Sequence, residues 1–274
     1  MEADFRTRFL EGALGVSPDV GLVQTRTVRD VLPLAGREIV EHVHFVTTGE
    51  QCIDDVRADE ARASGHDHPH APYRTAAVFI TFEGVDGSGK TTQAELLAET
   101  LRAEGREVVA TREPGGTALG EQIRQLLLEG VEMSSWAEAA LFAAARAELA
   151  NSVIAPALEA GADVVCDRYI DSSLAYQGIA RNLGVEQVLQ LNLRATQDLL
   201  PDRTFLIVVD PRVARERSTK TDRIEREGSD FHRTVDRAYR ALASMFPQRI
   251  ITVDGNRPPE EIAEEIRGRL RELS

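Results

Sequence analysis

Cysteine is almost absent from this sequence, with Cys52 and Cys166 the only two in 274 residues. Two thiols cannot staple a disulfide scaffold, and they fit a reducing compartment. Long apolar runs are missing too: no uninterrupted stretch approaches the roughly 20 residues of a membrane span. The N-terminal MEADFRTRF is charged and has no apolar signal core. Basic residues are outnumbered 32 to 45 by acidic ones, a formal net charge of −13. That balance argues against a nucleic-acid coat or a binder of anionic membranes. Lysine is as scarce as cysteine, with Lys90 and Lys220 alone among the basic residues that are otherwise arginine. A bias on this scale reflects genome base composition, so a lysine that remains is a candidate for being needed as lysine. What is present suffices for a packed core, since 42% of residues are hydrophobic and 28% charged. The expectation is a soluble cytoplasmic protein with neither nucleic acid nor membrane as a partner.

Residues 66–75 (HDHPHAPYRT) are polar, carry two prolines and show no periodicity, which reads as a linker. It separates an N-terminal extension, residues 1–65, from a domain over 76–274. Within the extension, Val40–Thr48 is rich in β-branched residues and could form one or two strands, and Glu50–Ala63 could form an acidic helix. His42, His44, His66, His68 and His70 fall before residue 75. Imidazoles are common metal ligands, although histidines spaced by one residue beside prolines are more often unstructured. A vestige of a fused domain, a partner-binding module and a regulatory arm all remain open for this segment.

Beyond the linker, strand and helix signals alternate. Apolar β-branched runs at Ala77–Phe82, Glu107–Thr111, Asp163–Cys166, Thr204–Val209 and Arg249–Val253 are separated by helical patterns. Near-continuous hydrophobic strands between helices predict an α/β domain, a five-stranded parallel sheet with helices on both faces. After the first strand, Gly84-Val85-Asp86-Gly87-Ser88-Gly89-Lys90-Thr91 matches G-x-x-x-x-G-K-[ST]. Glycines let backbone N–H groups turn inward on phosphate oxygens, and the next helix adds its positive dipole end. Lys90 reaches the outer phosphates and Thr91 ligates Mg²⁺, so residues 84–92, through Thr92, predict a nucleoside triphosphate site. The loop alone leaves the phosphoryl acceptor open between water and a second nucleotide.

Three further segments bear on that choice. The second strand ends in Thr111-Arg112-Glu113-Pro114-Gly115-Gly116-Thr117, which places Arg112 where doubly wound sheets bind ligands. The third ends in Asp167-Arg168-Tyr169, with Asp167 suited to a metal shell and Arg168 to an acceptor phosphate. Ser173, Tyr176 and Gln177 follow at i, i+3, i+4 on one helical face that could read a base or sugar. Phe142 and Arg146, also i, i+4, pair a stacking ring with a hydrogen-bond donor. Each segment taken singly also suits an ordinary surface or core.

EGVDGSGKTT (83–92), TREPGGT (111–117), LFAAAR (141–146) and DRYIDSSLAYQG (167–178) together resemble the bacterial thymidylate kinases over about residues 77–273. The resemblance implies a P-loop nucleoside-monophosphate-kinase-like fold, ATP as phosphoryl donor, dTMP as acceptor, Mg²⁺ and a homodimer. It implies that Lys90 and Thr91 hold the ATP phosphates and metal, that Arg112 and Arg168 grip the dTMP phosphate, and that Asp86 contacts the acceptor sugar hydroxyl and helps organise the metal waters. It also implies that Phe142 stacks on thymine while Arg146, Ser173 and Gln177 meet the base edge, and that Tyr176 crowds the sugar's 2′ position. An arginine-bearing lid is expected over Arg215–Glu225, with Lys220 standing for a lid arginine and Arg223 in the Asp-Arg-x-Glu ending. A nucleotide kinase with another monophosphate acceptor, and a nucleotide-binding protein with an impaired lid, stay open as alternatives.

Overall fold

The computed structural model describes residues 77–130, 132–218 and 222–271. The N-terminal strand and helix expectations, the five histidines, Cys52, the linker and Lys220 lie outside the described residues.

β1 (Phe79–Glu83) reads FITFE, and all five residues are buried. Its alternation sends Phe79 to one face of the sheet and Ile80 and Phe82 to the other. Such a strand must sit centrally, and it does. With β2 (Val108–Arg112), β3 (Asp163–Asp167), β4 (Arg203–Val208) and β5 (Ile250–Asp254), the sheet order is β2-β3-β1-β4-β5. Every pairing is parallel, as the sequence predicts. α1 (Lys90–Ala103) and α8 (Pro259–Arg271) cover one face, where Ile80, Phe82, Leu97, Leu101, Phe205, Ile262 and Ile266 pack together. The other face is covered by α3 (Ser135–Glu159), α5 (Val185–Thr196) and α7 (Ser229–Met245), through Leu149, Ile154, Leu193, Val235 and Leu242.

α3 is long and apolar enough to cross a membrane by length and composition. Its alanines instead meet neighbouring helices: Ala139, Ala143 and Ala145 are buried, and α3 packs on both α2 (Ala118–Glu129) and α5. α3 carries a π-helical turn at Ala150–Ile154. A second π-helical turn, Leu174–Ala180, continues the short α4 (Ile170–Ser173). α6 (Pro211–Arg217) completes the set, with Pro211 at its first position and the Asp210 side chain capping it.

Register positions the site. Phe82 stands opposite Asp167, and Asp167 opposite Arg112, so β1, β2 and β3 end level. The segments leaving these ends carry the P-loop, the TREPGGT segment and the DRYIDSSLAYQG segment, and ligands of open α/β sheets bind at that edge.

Candidate active site

The loop between β1 and α1 tolerates no side chain at two of its glycines. Gly84 has φ +144°, and a Cβ there would come within 2.6 Å of the Ile207 carbonyl oxygen. Gly87 has φ +76°, and its Cβ would run into the Ala214 carbonyl. No side chain caps the N-terminus of α1, so its first N–H groups and the dipole are left to a ligand. Lys90 is buried and turns back into the loop, donating to the Val85 carbonyl at 3.4 Å and Asp86 Oδ1 at 3.0 Å. The Thr91 hydroxyl donates to Asp167 Oδ2 at 2.5 Å, while Asp167 Oδ1 is buried with no hydrogen-bond partner. A hydroxyl, a carboxylate and an unsatisfied buried oxygen form a hard-oxygen donor set of the type a small divalent cation takes. Ser88 Oγ, also buried and unpartnered, lies on the same loop.

Beside the loop, Arg168 adopts φ +70°, an unusual left-handed conformation for a non-glycine residue. Its surroundings over-determine it. The Arg168 N–H donates to the Phe82 carbonyl at 2.9 Å. The guanidinium reaches Asp86 at 2.7 Å and Ser172 and Tyr239 at 3.1 Å each. Burial works against the guanidinium's charge, but Asp86 and the neighbouring acidic groups outweigh it and hold Arg168 firmly protonated. Behind it lies Glu83, fully buried at the end of β1. Its carboxyl accepts from the Tyr169 N–H at 2.8 Å, the Ser172 N–H at 3.0 Å, the Ser172 hydroxyl at 2.6 Å and the Tyr239 hydroxyl at 2.9 Å. Burial and the nearby Asp171 push the Glu83 carboxyl up from its ordinary value.

Two clefts flank the loop. The first, of about 70 Å³, is lined by Asp86 and Arg168 at one end and by Phe142, Ser173, Tyr176 and Gln177 along its wall. Arg124 and Pro114 close another side. The second, of about 230 Å³, runs from Ser88, Gly89 and Thr92 to Arg217, Gly255 and Arg257. One phosphate-type loop therefore contributes to two clefts, the arrangement that transfer between two bound molecules requires.

Comparison with known proteins agrees with this geometry. The family model described as thymidylate kinase matches residues 82–266. The chain belongs to the thymidylate kinase family. It is 52% identical over 189 residues to the thymidylate kinase of Synechococcus sp. (strain JA-3-3Ab), covering 69% of this chain and 93% of that protein. It is 47% identical over 205 residues to the thymidylate kinase of Bifidobacterium longum (strain DJO10A), covering 73% of this chain and all of that one. The crystal structure of thymidylate kinase from Ehrlichia chaffeensis superimposes with a TM-score of 0.61 at 36% identity, covering 72% of this chain and 99% of that chain.

Within this thymidylate kinase fold, several expected residues take places the sequence does not reveal. Arg146 is 1% exposed and lies behind the cleft wall. Its Nε donates to Glu113 at 2.8 Å, one terminal nitrogen to Ser173 at 2.9 Å and to Asn192, and the other to the Tyr169 carbonyl at 2.9 Å, with an ion pair to Glu113 at 2.5 Å. All three of its nitrogens are engaged within the protein. The Arg112 side chain is 53% exposed and pairs with Glu121 at 2.9 Å, outside the cleft lining, where Arg124 stands instead. Arg223 anchors the lid segment. It is buried, with its N–H on the Leu128 carbonyl, Nε on the Leu127 carbonyl at 2.9 Å and a terminal nitrogen on Glu138 at 2.6 Å. Arg217 donates to the Gly255 carbonyl at 3.2 Å and lines the second cleft. Glu83, Arg124 and Glu138 were not reachable from the sequence, whereas Arg217 falls in the expected lid segment. Of the three, only Glu83 lay inside a recognised motif, and nothing in its spacing signalled a buried acceptor.

Proposed function

We propose that this chain is a dTMP kinase, transferring the γ-phosphoryl group of ATP to dTMP to give dTDP and ADP. The observation that carries the reading is that one P-loop lines two clefts, with Asp86 in one and Ser88 and Gly89 in the other, in a chain of the thymidylate kinase family. An oxygen of the dTMP phosphate attacks Pγ, the bond from Pγ to the β,γ-bridging oxygen breaks, and ADP leaves. No covalent nucleophile from the protein is required, so the residues act by positioning and by neutralising charge.

In the donor cleft, the backbone of residues 84–89 and the start of α1 cradle the ATP phosphates, with Lys90 on the outer ones. Thr91 and Asp167 fit Mg²⁺ as ligands, and the ion, when bound, supplies charge neutralisation to the triphosphate. In the acceptor cleft, Arg168 receives the dTMP phosphate. Asp86, which already holds both Arg168 and Lys90, keeps the two cations aimed at the transfer path. Arg112 stands at the rim of that site. Phe142 stacks on the thymine while Ser173 and Gln177 face the base edge, with Arg146 acting through the Ser173 hydroxyl it holds. The Tyr176 ring, 7% exposed beneath the Arg168 guanidinium, leaves little room for a 2′-hydroxyl. Leu119 and Leu126, seven residues apart on α2, and Trp136 at the start of α3 are exposed, and we assign this apolar surface to a homodimer contact.

The test is ADP release with Mg·ATP in the presence of dTMP, dUMP, dCMP, dGMP or the thymine ribonucleotide. Stimulation by dTMP well above every other acceptor is expected. ATP binding without stimulation by any of them would refute the reading.

A further inference from the structure

Glu138, in the first turn of α3, is 2% exposed and belongs to none of the motifs above. Its Oε1 accepts from Gln177 Nε2 at 2.9 Å and Arg181 Nε at 3.2 Å. Its Oε2 accepts from Arg181 at 3.1 Å and Arg223 at 2.6 Å. Burial works against the charge on this carboxylate, but the hydrogen bonds from Gln177, Arg181 and Arg223 outweigh it and hold its pKa below the usual value. At neutral pH Glu138 is therefore an acceptor only.

A primary amide has one donor edge and one acceptor edge. Facing an acceptor-only group, Gln177 must turn its NH₂ toward Glu138, which leaves its carbonyl oxygen to the cleft that Gln177 lines with Phe142 and Ser173. Were the amide reversed, two oxygens would meet in a buried site. We propose that Glu138 is a specificity-positioning residue. By fixing the Gln177 amide it makes that one position of the base-reading wall an obligatory acceptor, so the cleft selects a pyrimidine that carries a proton on N3 and rejects one whose N3 is a lone pair. The inference rests on the dTMP kinase reading and adds to it the chemistry by which thymine is told from cytosine. Sites built to hydrogen-bond a substrate group can reject the analogue lacking it by as much as about 10⁴-fold.

The test compares kcat/KM of the full chain for dTMP, dCMP and N3-methyl-dTMP, in the wild type, in Glu138→Gln and in the exchange Glu138→Gln with Gln177→Glu. In the wild type, dCMP and N3-methyl-dTMP should both be poor acceptors. E138Q can present either amide edge to Gln177, so the dTMP-to-dCMP ratio should fall about tenfold or more while KM for ATP holds. The exchange keeps the net charge and restores an acceptor-only group at 177, so the ratio should recover. Parallel losses for every acceptor in E138Q, with the ratio unchanged, would make Glu138 a structural clamp only and overturn the inference. A ratio left low by the exchange would do the same. Should E138Q fail to fold, the wild type still decides, because acceptance of N3-methyl-dTMP or dCMP as readily as dTMP overturns the inference. Absence of dTMP-dependent ADP release in the wild type would strike the kinase reading itself, and the inference with it.

Discussion

Replacing Arg146 by methionine separates a structural arginine from one that binds ligand. The guanidinium donates to Glu113 from Nε at 2.8 Å, forms an ion pair with it at 2.5 Å, and donates to Ser173, Asn192 and the Tyr169 carbonyl, while remaining 1% exposed. Methionine fills much of the same volume but donates nothing, so Glu113 becomes a buried carboxylate without a counter-charge. Breaking a buried pair in this way costs about 3–5 kcal/mol. Burial already pushes Glu113 up to about 7 against the pull of Arg146, so part of the loss is relieved by proton uptake. The double change R146M with Glu113→Gln removes the stranded charge and leaves chiefly the Tyr169 carbonyl and the amide short of donors. Its expected loss is about 1–3 kcal/mol. Urea unfolding of the ligand-free protein at pH 8, with the slope checked for constancy across variants, measures both. A single-variant loss below about 1 kcal/mol would refute the reasoning, because it would mean the guanidinium is not committed to the core and is free for the base.

Lys90→Ala should lower kcat by about 10²–10³ or more while the melting temperature stays close to wild type, and unchanged turnover would sink the P-loop assignment. Glu225 supplies a pH signature, since burial first, and then the Asp86 carboxyl, push it up to about 8 from 4.5. A folded value above the unfolded one means the native state binds that proton more tightly. The contribution is therefore full below about pH 4.5 and is lost as pH rises through about 8. Thermal melts of metal-free, nucleotide-free protein from pH 5 to 8.5 should show a decline that Glu225→Gln flattens, and a wild-type melting temperature that climbs relative to E225Q would count against it. Removal of residues 1–75 should leave kcat/KM within a few-fold, because the match to the Bifidobacterium relative takes up only 73% of this chain yet spans the whole length of that protein. An inactive or insoluble truncation would show that the extension is needed by the domain.

Strands and phosphate-facing loops were legible because their signals are local. AVFITF, DVVC and TFLIVV are too apolar for any place but a sheet covered on both faces, and the P-loop spells out its backbone in glycines. Side-chain partners were not legible where they depend on contacts far apart in sequence. The i, i+4 spacing puts Phe142 and Arg146 on one side of α3, yet that side is divided. Phe142 lines the cleft, whereas Arg146 one turn on is covered by Glu113, Asn192 and the α4 segment. Arg223 stands out in the sequence as a lid residue through its Asp-Arg-x-Glu setting, which resembles the family. Its acceptors, the Leu127 carbonyl and Glu138, lie 96 and 85 residues away. Arg112 and Arg124 face the same loop, and only the turn after β2 decides that the second lines the cleft.

The division of labour between lysine and arginine follows from donor geometry rather than from composition. Arg146, Arg168, Arg181 and Arg223 each hold two or more fixed acceptors at once, which a planar five-donor fork does and a single ammonium does not. These forks are clamped by carboxylates before any ligand arrives, so the walls of the acceptor cleft need little reorganisation on binding. Lys90 faces a different task. It is 4% exposed, folded back onto the Val85 carbonyl and Asp86 within a loop that admits no further atoms at Gly84 and Gly87. A compact charge on a flexible stem can leave those contacts and follow a phosphoryl group as it moves, whereas a guanidinium would need a wider channel and a second fixed partner. In a chain that is otherwise almost entirely arginine among its basic residues, the lysine stands where the acceptor of its hydrogen bonds must itself move.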